Sequence, residues 1–256
     1  GLTYSMNKNK IESLADNVIN PITGQLFSIP SLDMGGYADL RFILREGGSM
    51  GDLYSRTDLR RDAHGAIYMD ESNNVYTQKI DNPDSYIKLG SVLPKGNLAW
   101  RNNFMWKNFH VGFMISARLG GVVFSRTQAI LDKFGVSEAS ADARDNGFVL
   151  INGNDRVNPE NWYTTVGSTA VPQYYTYSAT NVRLQEASIG YTIPRKWLAN
   201  VCDIKVSLIG RNLWMIYNKA PFDPEAVAST DNFYQGIDNF MMPSLRNVGF
   251  SLNFKF

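Results

Sequence analysis

The 256-residue chain has one cysteine, Cys202, two histidines and almost no net charge, with 25 Lys and Arg set against 24 Asp and Glu. A single cysteine excludes an internal disulfide and a cysteine-rich metal site. Balanced charge excludes both the broad basic field that nucleic acid requires and an acidic interaction tail. Charged residues reach 19%, below the roughly 25% of ordinary soluble domains. No apolar run approaches the ~20 residues of a membrane-crossing helix, and mean hydropathy is −0.24. A helical membrane protein is thereby excluded. A transmembrane barrel is not, because alternating strands average out to modest hydropathy.

Aromatics are abundant instead: 14 Phe, 13 Tyr and 5 Trp. They fall on a pattern of period two. In "LRNVGFSLNFKF" (245–256), Val248, Phe250, Leu252, Phe254 and Phe256 share one side of an extended chain, and Gly249, Ser251, Asn253 and Lys255 share the other. Similar alternation predicts eight strands, at about 1–14, 36–45, 49–58, 92–106, 109–119, 182–193, 203–217 and 245–256. The first begins at Leu2, Tyr4 and Met6, as a strand cut from a longer chain would, with no signal peptide ahead of it. One short helix is expected at 126–135, with Ala129, Ile130 and Phe134 on one side and a glycine stop.

The connections sharpen this reading. Trp100, Phe104 and Trp106 share a face up to Lys107-Asn108; beyond it Phe109, Val111, Phe113, Ile115, Ala117 and Leu119 do. A parity change at two such residues is a tight hairpin. Short turns are also expected at 46–49 and 194–202, alternating with long connections at 15–35, 57–91, 120–180 and 218–244. Structureless loops beyond ~12–15 residues are rare in compact domains, whereas outer-membrane barrels combine short periplasmic turns with long extracellular loops. The predicted fold class is therefore all-β, an antiparallel transmembrane barrel portion with apolar stripes toward lipid and polar stripes toward the lumen. Tyr191, Trp197, Trp106, Phe109, Trp214 and Tyr217 would form girdles at the interfaces. On pattern alone a β-sandwich with these aromatics in its core stays open.

Longer motifs decide between them. "NVRLQEASIGYTIPRKWL" (181–198), "GRNLWMIYNKAPFDPEA" (210–226) and the terminal "GFSLNFKF" resemble, in order and spacing, the end of SusC/RagA-type TonB-dependent transporters of Bacteroidetes outer membranes. "LREGGSMGDLY", "LGSVLPKGNLAWRNNFMWKNFHVGFMISARLGG" and "TQAILDKFGVS" are similar to that family too. The resemblance implies a 22-stranded barrel filled by an N-terminal plug, of which 1–256 would be the C-terminal portion, about the last eight strands. It implies import of oligosaccharides or peptides with energy from TonB, a SusD-like surface lipoprotein as lid, outer-membrane lipid around the wall, and no enzyme activity, cofactor or metal. The partners it implies are the remainder of the barrel with its plug, that lipoprotein, TonB, and the barrel-assembly machinery. The final strand, through Gly249, Leu252, Phe254 and Phe256, resembles the signal that this machinery reads.

No catalytic constellation is present. His64 and His110 are far apart and lack companion ligands. Asp62, Asp70 and Glu71 lack the spacing of a calcium loop, and "GGSMG" reads as a turn rather than a phosphate loop. Ligand contacts are expected from loop aromatics that can stack on sugar rings and carboxylates that can bond hydroxyls. These are Trp162, Tyr163, Tyr174, Tyr175 and Tyr177, and then Asp223, Asp231, Phe233 and Tyr234. The plain alternative is that they pack loop against loop or against the lid, and Asp223-Pro224-Glu225 matches a family motif that points to loop packing. Two rival functions stay in view: a self-contained structural or adhesive barrel, and a soluble carbohydrate-binding sandwich. The facing itself is testable. Val206→Arg, on the lipid side, should cost about 2–4 kcal/mol near the midplane, while Lys205→Ala should leave the denaturation midpoint of the folded barrel unchanged.

Overall fold

Six of the alternating segments pair edge to edge in chain order. The computed structural model describes residues 1–167, 171–198, 201–229 and 234–255. The six are β1 (Leu2–Ser5), β2 (Gly96–Trp106), β3 (Phe109–Leu119), β4 (Asn181–Ile193), β5 (Asp203–Asn218) and β6 (Asn247–Lys255), each antiparallel to the next. At one end the connections are short: Lys107-Asn108, with Lys107 at φ +52°, and the stretch 194–202. At the other end they are long, covering 6–95, 120–180 and 219–246.

Register carries one face through all six strands. Leu2 opposes Trp100 and Trp100 opposes Ile115; Phe104, Val111, Ile189, Leu208 and Phe250 form a second apolar row. On the reverse side Arg101, Met114, Glu186, Arg211 and Asn247 form a row, with His110, Gly190, Ser207 and Ser251 in another. The apolar row is uncovered: Phe104 is 60% exposed and Phe250 77%. A sandwich would bury these rings against a second sheet, and among the described residues none lies over them. Aromatic contacts gather at the short-turn end, where Phe109 sits 4.8 Å from Tyr191 and 6.5 Å from Trp106.

Three irregularities interrupt the pairing, one at Ile216 near the long-connection end, and the other two keep this parity intact. Gln185 is an extra residue where β3 passes β4, and the Asn212-Leu213 segment accommodates one where β4 meets β5. Asn212 turns to φ +52° there, a region that asparagine tolerates better than most residues. Leu213 then folds back over Gly210, where a Cβ would come within 2.6 Å of it. After both bulges Leu184 still opposes Trp214 on the apolar side, and Glu186 still opposes Arg211 on the polar side.

The sheet departs from the expected eight strands. Segments 36–45 and 49–58 lie in a separate four-stranded sheet of Ser31–Tyr37, Leu40–Arg45, Asp52–Ser55 and Ile87–Ser91. They are shorter than the ~9–11 residues that span a bilayer. Their apolar side chains face protein instead, with Leu40 and Leu53 at 0% exposure. The expected long connections 15–35 and 57–91 thus merge into one, and the expected turn at 46–49 lies inside it.

The connections are also not structureless. Leu40, Phe42, Leu53, Phe124, Trp162, Val171 and Ile237 belong to one buried apolar cluster drawn from all three. Val122–Ser125 pairs antiparallel with Thr176–Ser178 and parallel with Ile237–Asp238, which ties the second connection to the third. Three helices pack here: α1 (Arg126–Lys133), α2 (Glu138–Asn146) and α3 (Pro159–Val166). Ser125 Oγ caps α1 by accepting the Gln128 N–H at 3.0 Å. Ala129 is buried as expected; Phe134 is 70% exposed, because the helix has ended before its ring could reach the core. Phe124→Ala, at the centre of this cluster, should cost about 3–5 kcal/mol. The measurable sign is faster proteolysis within 120–180 while the wall strands stay protected.

Candidate functional site

The wall meets the loop body at a buried cation. Arg183 on β4 is 4% exposed and its guanidinium pairs with Asp223 at 2.9 Å and Glu225 at 3.2 Å. Both carboxylates come from the D-P-E turn after β5. Asn181 Nδ2 donates to Glu225 (3.2 Å), the Asn181 Oδ1 accepts from Arg183 Nε (3.3 Å), and Ser244 Oγ donates to Asp223 at 2.5 Å. Burial pushes the Asp223 carboxyl up, but Ser244, the Glu225 N–H and Arg183 together outweigh it and hold the carboxyl below its ordinary value. The V-R-L and D-P-E motifs therefore meet in space, and the meeting is a structural joint. Asp223 is thus committed to a buried ion pair.

The aromatics of 158–178 divide by burial. Asn158 Oδ1 accepts the N–H groups of Glu160 and Asn161, so α3 starts where Trp162 and Val166 can enter the core. Trp162 is 9% exposed and Tyr175 2%. The Tyr175 hydroxyl donates to the buried Asp132 at 3.0 Å, and burial pushes its pKa well up. Tyr177 is pushed up to about 12 by burial and by Asp132. Tyr163 donates to the Ala139 carbonyl at 3.0 Å and lines an open pocket of about 350 Å³ with Lys133, Phe134, Arg144 and Pro159. Tyr174 keeps 38% exposure, edge-on to Trp162 at 5.5 Å. Tyr234 is 47% exposed and sits edge-on to Phe42 at 6.2 Å. Of the loop residues expected to touch ligand, Tyr163, Tyr174 and Tyr234 remain accessible. Asp231 and Phe233 lie outside the described residues.

The polar face of the wall holds a second arrangement that sequence reasoning missed. Glu186 Oε2 lies 3.2 Å from Arg211 Nε, and its Oε1 lies 3.9 Å from Arg101 Nη2. Strand parity places each of them on this face, but the row across β2, β4 and β5 is visible only from register. His110 on the same face bonds Thr192 Oγ1 at 2.9 Å, and His64 is exposed on a turn. Among the described residues no group of His, Cys, Asp and Glu could hold a metal. An apolar groove of about 380 Å³, lined by Phe113, Ala187, Ile189, Leu208, Leu213 and Val248, lies on the opposite face. On β6, Gly249, Leu252 and Phe254 pair with β5 residues Ile209, Val206 and Ile204; Phe256 lies outside the described residues.

Removing either half of the joint tests its weight. Arg183→Met leaves the nearly buried Asp223 without its cation and should destabilise by about 3–5 kcal/mol. Because the Asp223 carboxyl is held below its ordinary value near 3.8, the stability it contributes is present above that value. It disappears as pH falls through the lower, folded one. Melting curves between pH 6 and pH 2 should show an acid loss in the parent protein that Asp223→Asn lacks.

Comparisons with known proteins now bear on this geometry. No protein-family model matches the chain. TonB-dependent receptor P3 of Formosa agariphila is 26% identical over 99% of the chain, which spans 26% of that receptor. The RagAB peptide importer in its open-open state aligns over 100% of this chain and 26% of its own, at TM-score 0.56 and 16% identity. A second structure of the RagAB peptide transporter aligns over 91% and 25%, at TM-score 0.54 and 14% identity. Among the described residues no helix is long and apolar enough to cross a membrane. The chain is outer-membrane barrel wall with its loop body, similar in sequence and fold to about a quarter of a SusC/RagA-type TonB-dependent transporter.

Proposed function

We propose that residues 1–256 form the C-terminal portion of an outer-membrane importer that carries oligosaccharides or peptides to the periplasm with TonB-derived energy, with no enzymatic step. One observation carries this reading: a single apolar face runs unbroken through six strands backed by a polar face, in a chain matching a TonB-dependent receptor over 99% of its length. Only an environment with hydrocarbon on one side and water on the other suits that sheet, since backbone groups in lipid must bond along the wall.

Other parts follow from the same reading. Among the described residues β1 and β6 are not paired with each other, an arrangement that fits further strands of the same barrel better than a small self-contained barrel. A plug would occupy the lumen and make the contact with TonB. A SusD-like lipoprotein would close over the loop body, a role supported by the partnered RagAB importer. Half-buried Tyr163 and exposed Tyr174 and Tyr234 are the loop residues best placed to meet cargo, with Asp231 and Phe233 close to Tyr234 in sequence. Trp162, Tyr175, Tyr177 and Asp223 hold the loops that present them. Gly249, Leu252, Phe254 and Phe256 would be read by the barrel-assembly machinery while the last strand is still unpaired.

Two measurements on the whole protein test this. In a Cys202→Ser background, Ser207→Cys should react with a water-soluble maleimide and Leu208→Cys should not; the reverse order would overturn the facing. Uptake of labelled oligosaccharide or peptide should require the protein and collapse when TonB is deleted. Uptake unchanged without TonB would overturn active import.

A further inference from the structure

Charge is unevenly divided between wall and loops. The wall strands carry Arg101, Arg118, Arg183, Lys205, Arg211 and Lys255 against Glu186 and Asp203. The wall is therefore +4 in a chain of net charge +1, so the remainder is −3. Register places all eight on the polar face. Arg183 is neutralised by the joint described above, and Asp203 lies 3.9 Å from Arg195. Of the remaining cations, Arg118 Nη2 donates to the Val92 carbonyl at 2.7 Å, and Arg101 and Arg211 share one carboxylate, Glu186, in a row that nets +1.

Two guanidiniums share one carboxylate there. Each Glu186 oxygen is turned to a different arginine, and the arginine side chains are 62% and 66% exposed. A guanidinium offers five N–H donors, and the described residues engage few of theirs. A purely structural pair needs one cation; the second is repelled by the first and stays partly unpaired. The adjoining row adds neutral groups, since Asn103 and Ser188 lean over Gly112, where a Cβ would meet them at 2.8 and 2.9 Å. Glu186 lies between the two guanidiniums, bonded to Arg211 and 3.9 Å from Arg101, and so keeps both cations on one stretch of the face.

We infer that Arg101 and Arg211, on either side of Glu186, bind carboxylate groups of the cargo. The inference rests on the reading above that the polar face is the lumen of an importer. Inside a lumen walled by low-dielectric material the field of such a row is focused rather than dispersed, and planar guanidiniums match the paired oxygens of these groups.

The test uses the purified full-length protein in detergent and calorimetric titration with two matched probe pairs. These are trigalacturonate with galactotriose, and triglutamate with triglutamine. At low salt the acidic member of at least one pair should bind about tenfold tighter than its neutral twin, and the preference should shrink as salt rises. Arg101→Gln and Arg211→Gln should each remove most of that preference, and Arg101→Lys should keep part of it. Equal binding of the twins, no binding of either acidic probe, or an unchanged preference in both glutamine variants would overturn the assignment. A lower melting temperature with the preference intact would also overturn it, because the anionic partner would then be a carboxylate of the protein itself. The Ser207→Cys labelling separates the two failures: if that site is wet and the probes fail, the importer reading stands without this site.

Discussion

Everything in the wall depends on backbone groups having nowhere to bond except the neighbouring strand. That constraint makes pairing continuous, and continuous antiparallel pairing makes parity a shared property of all six strands rather than a local one. A one-residue slip of β5 against β4 would send Val206 and Leu208 to the polar side and Arg211 into hydrocarbon. The bulges at Gln185 and at Asn212-Leu213 are therefore compensated irregularities: each bends the wall, and the parity is recovered before the next charged residue. Asn212 and Gly210 are what the bend requires, one for its left-handed backbone and the other for the room it gives Leu213.

The loop body obeys the opposite constraint. It lies where water can satisfy polar groups, so its order comes from burying apolar side chains in a common core. Leu40, Phe124, Trp162 and Ile237 arrive from distant parts of the chain. The two regimes meet at Arg183, a wall residue whose charge is matched wholly from the loops by Asp223 and Glu225. A joint made of charge rather than grease suits this boundary, since it sits between a face that must be apolar and a body that must be wet outside.

This contrast explains what could be read beforehand. Strands of 11 to 16 residues such as β2, β3 and β5 announce themselves by alternation over their whole length. The hairpin at Lys107-Asn108 was legible because parity visibly switches there. Segments 36–45 and 49–58 carry equally apolar residues, but period two cannot say whether those residues meet lipid or protein, and a count of eight wall strands resulted. Helical spacing puts Ala129, Ile130 and Phe134 on one side of α1, but it says nothing about where the helix stops, and Phe134 is left exposed. Among site residues, the structural role of Asp223 was readable from its motif. Its partner Arg183 was in view within V-R-L, yet the contact spans 40 residues and needed coordinates. The burial of Trp162 and Tyr175, against the exposure of Tyr174, was out of reach for the same reason.

The shared core of the three connections also bears on how such a protein could diversify. Surface loops ordinarily vary one at a time, because each is anchored by its own strand ends. Here Phe124, Val171 and Ile237 touch a common interior with Leu40 and Leu53, so a length change in one connection must be absorbed by the other two. The three connections, 6–95, 120–180 and 219–246, would then be exchanged together while the strands beneath are kept.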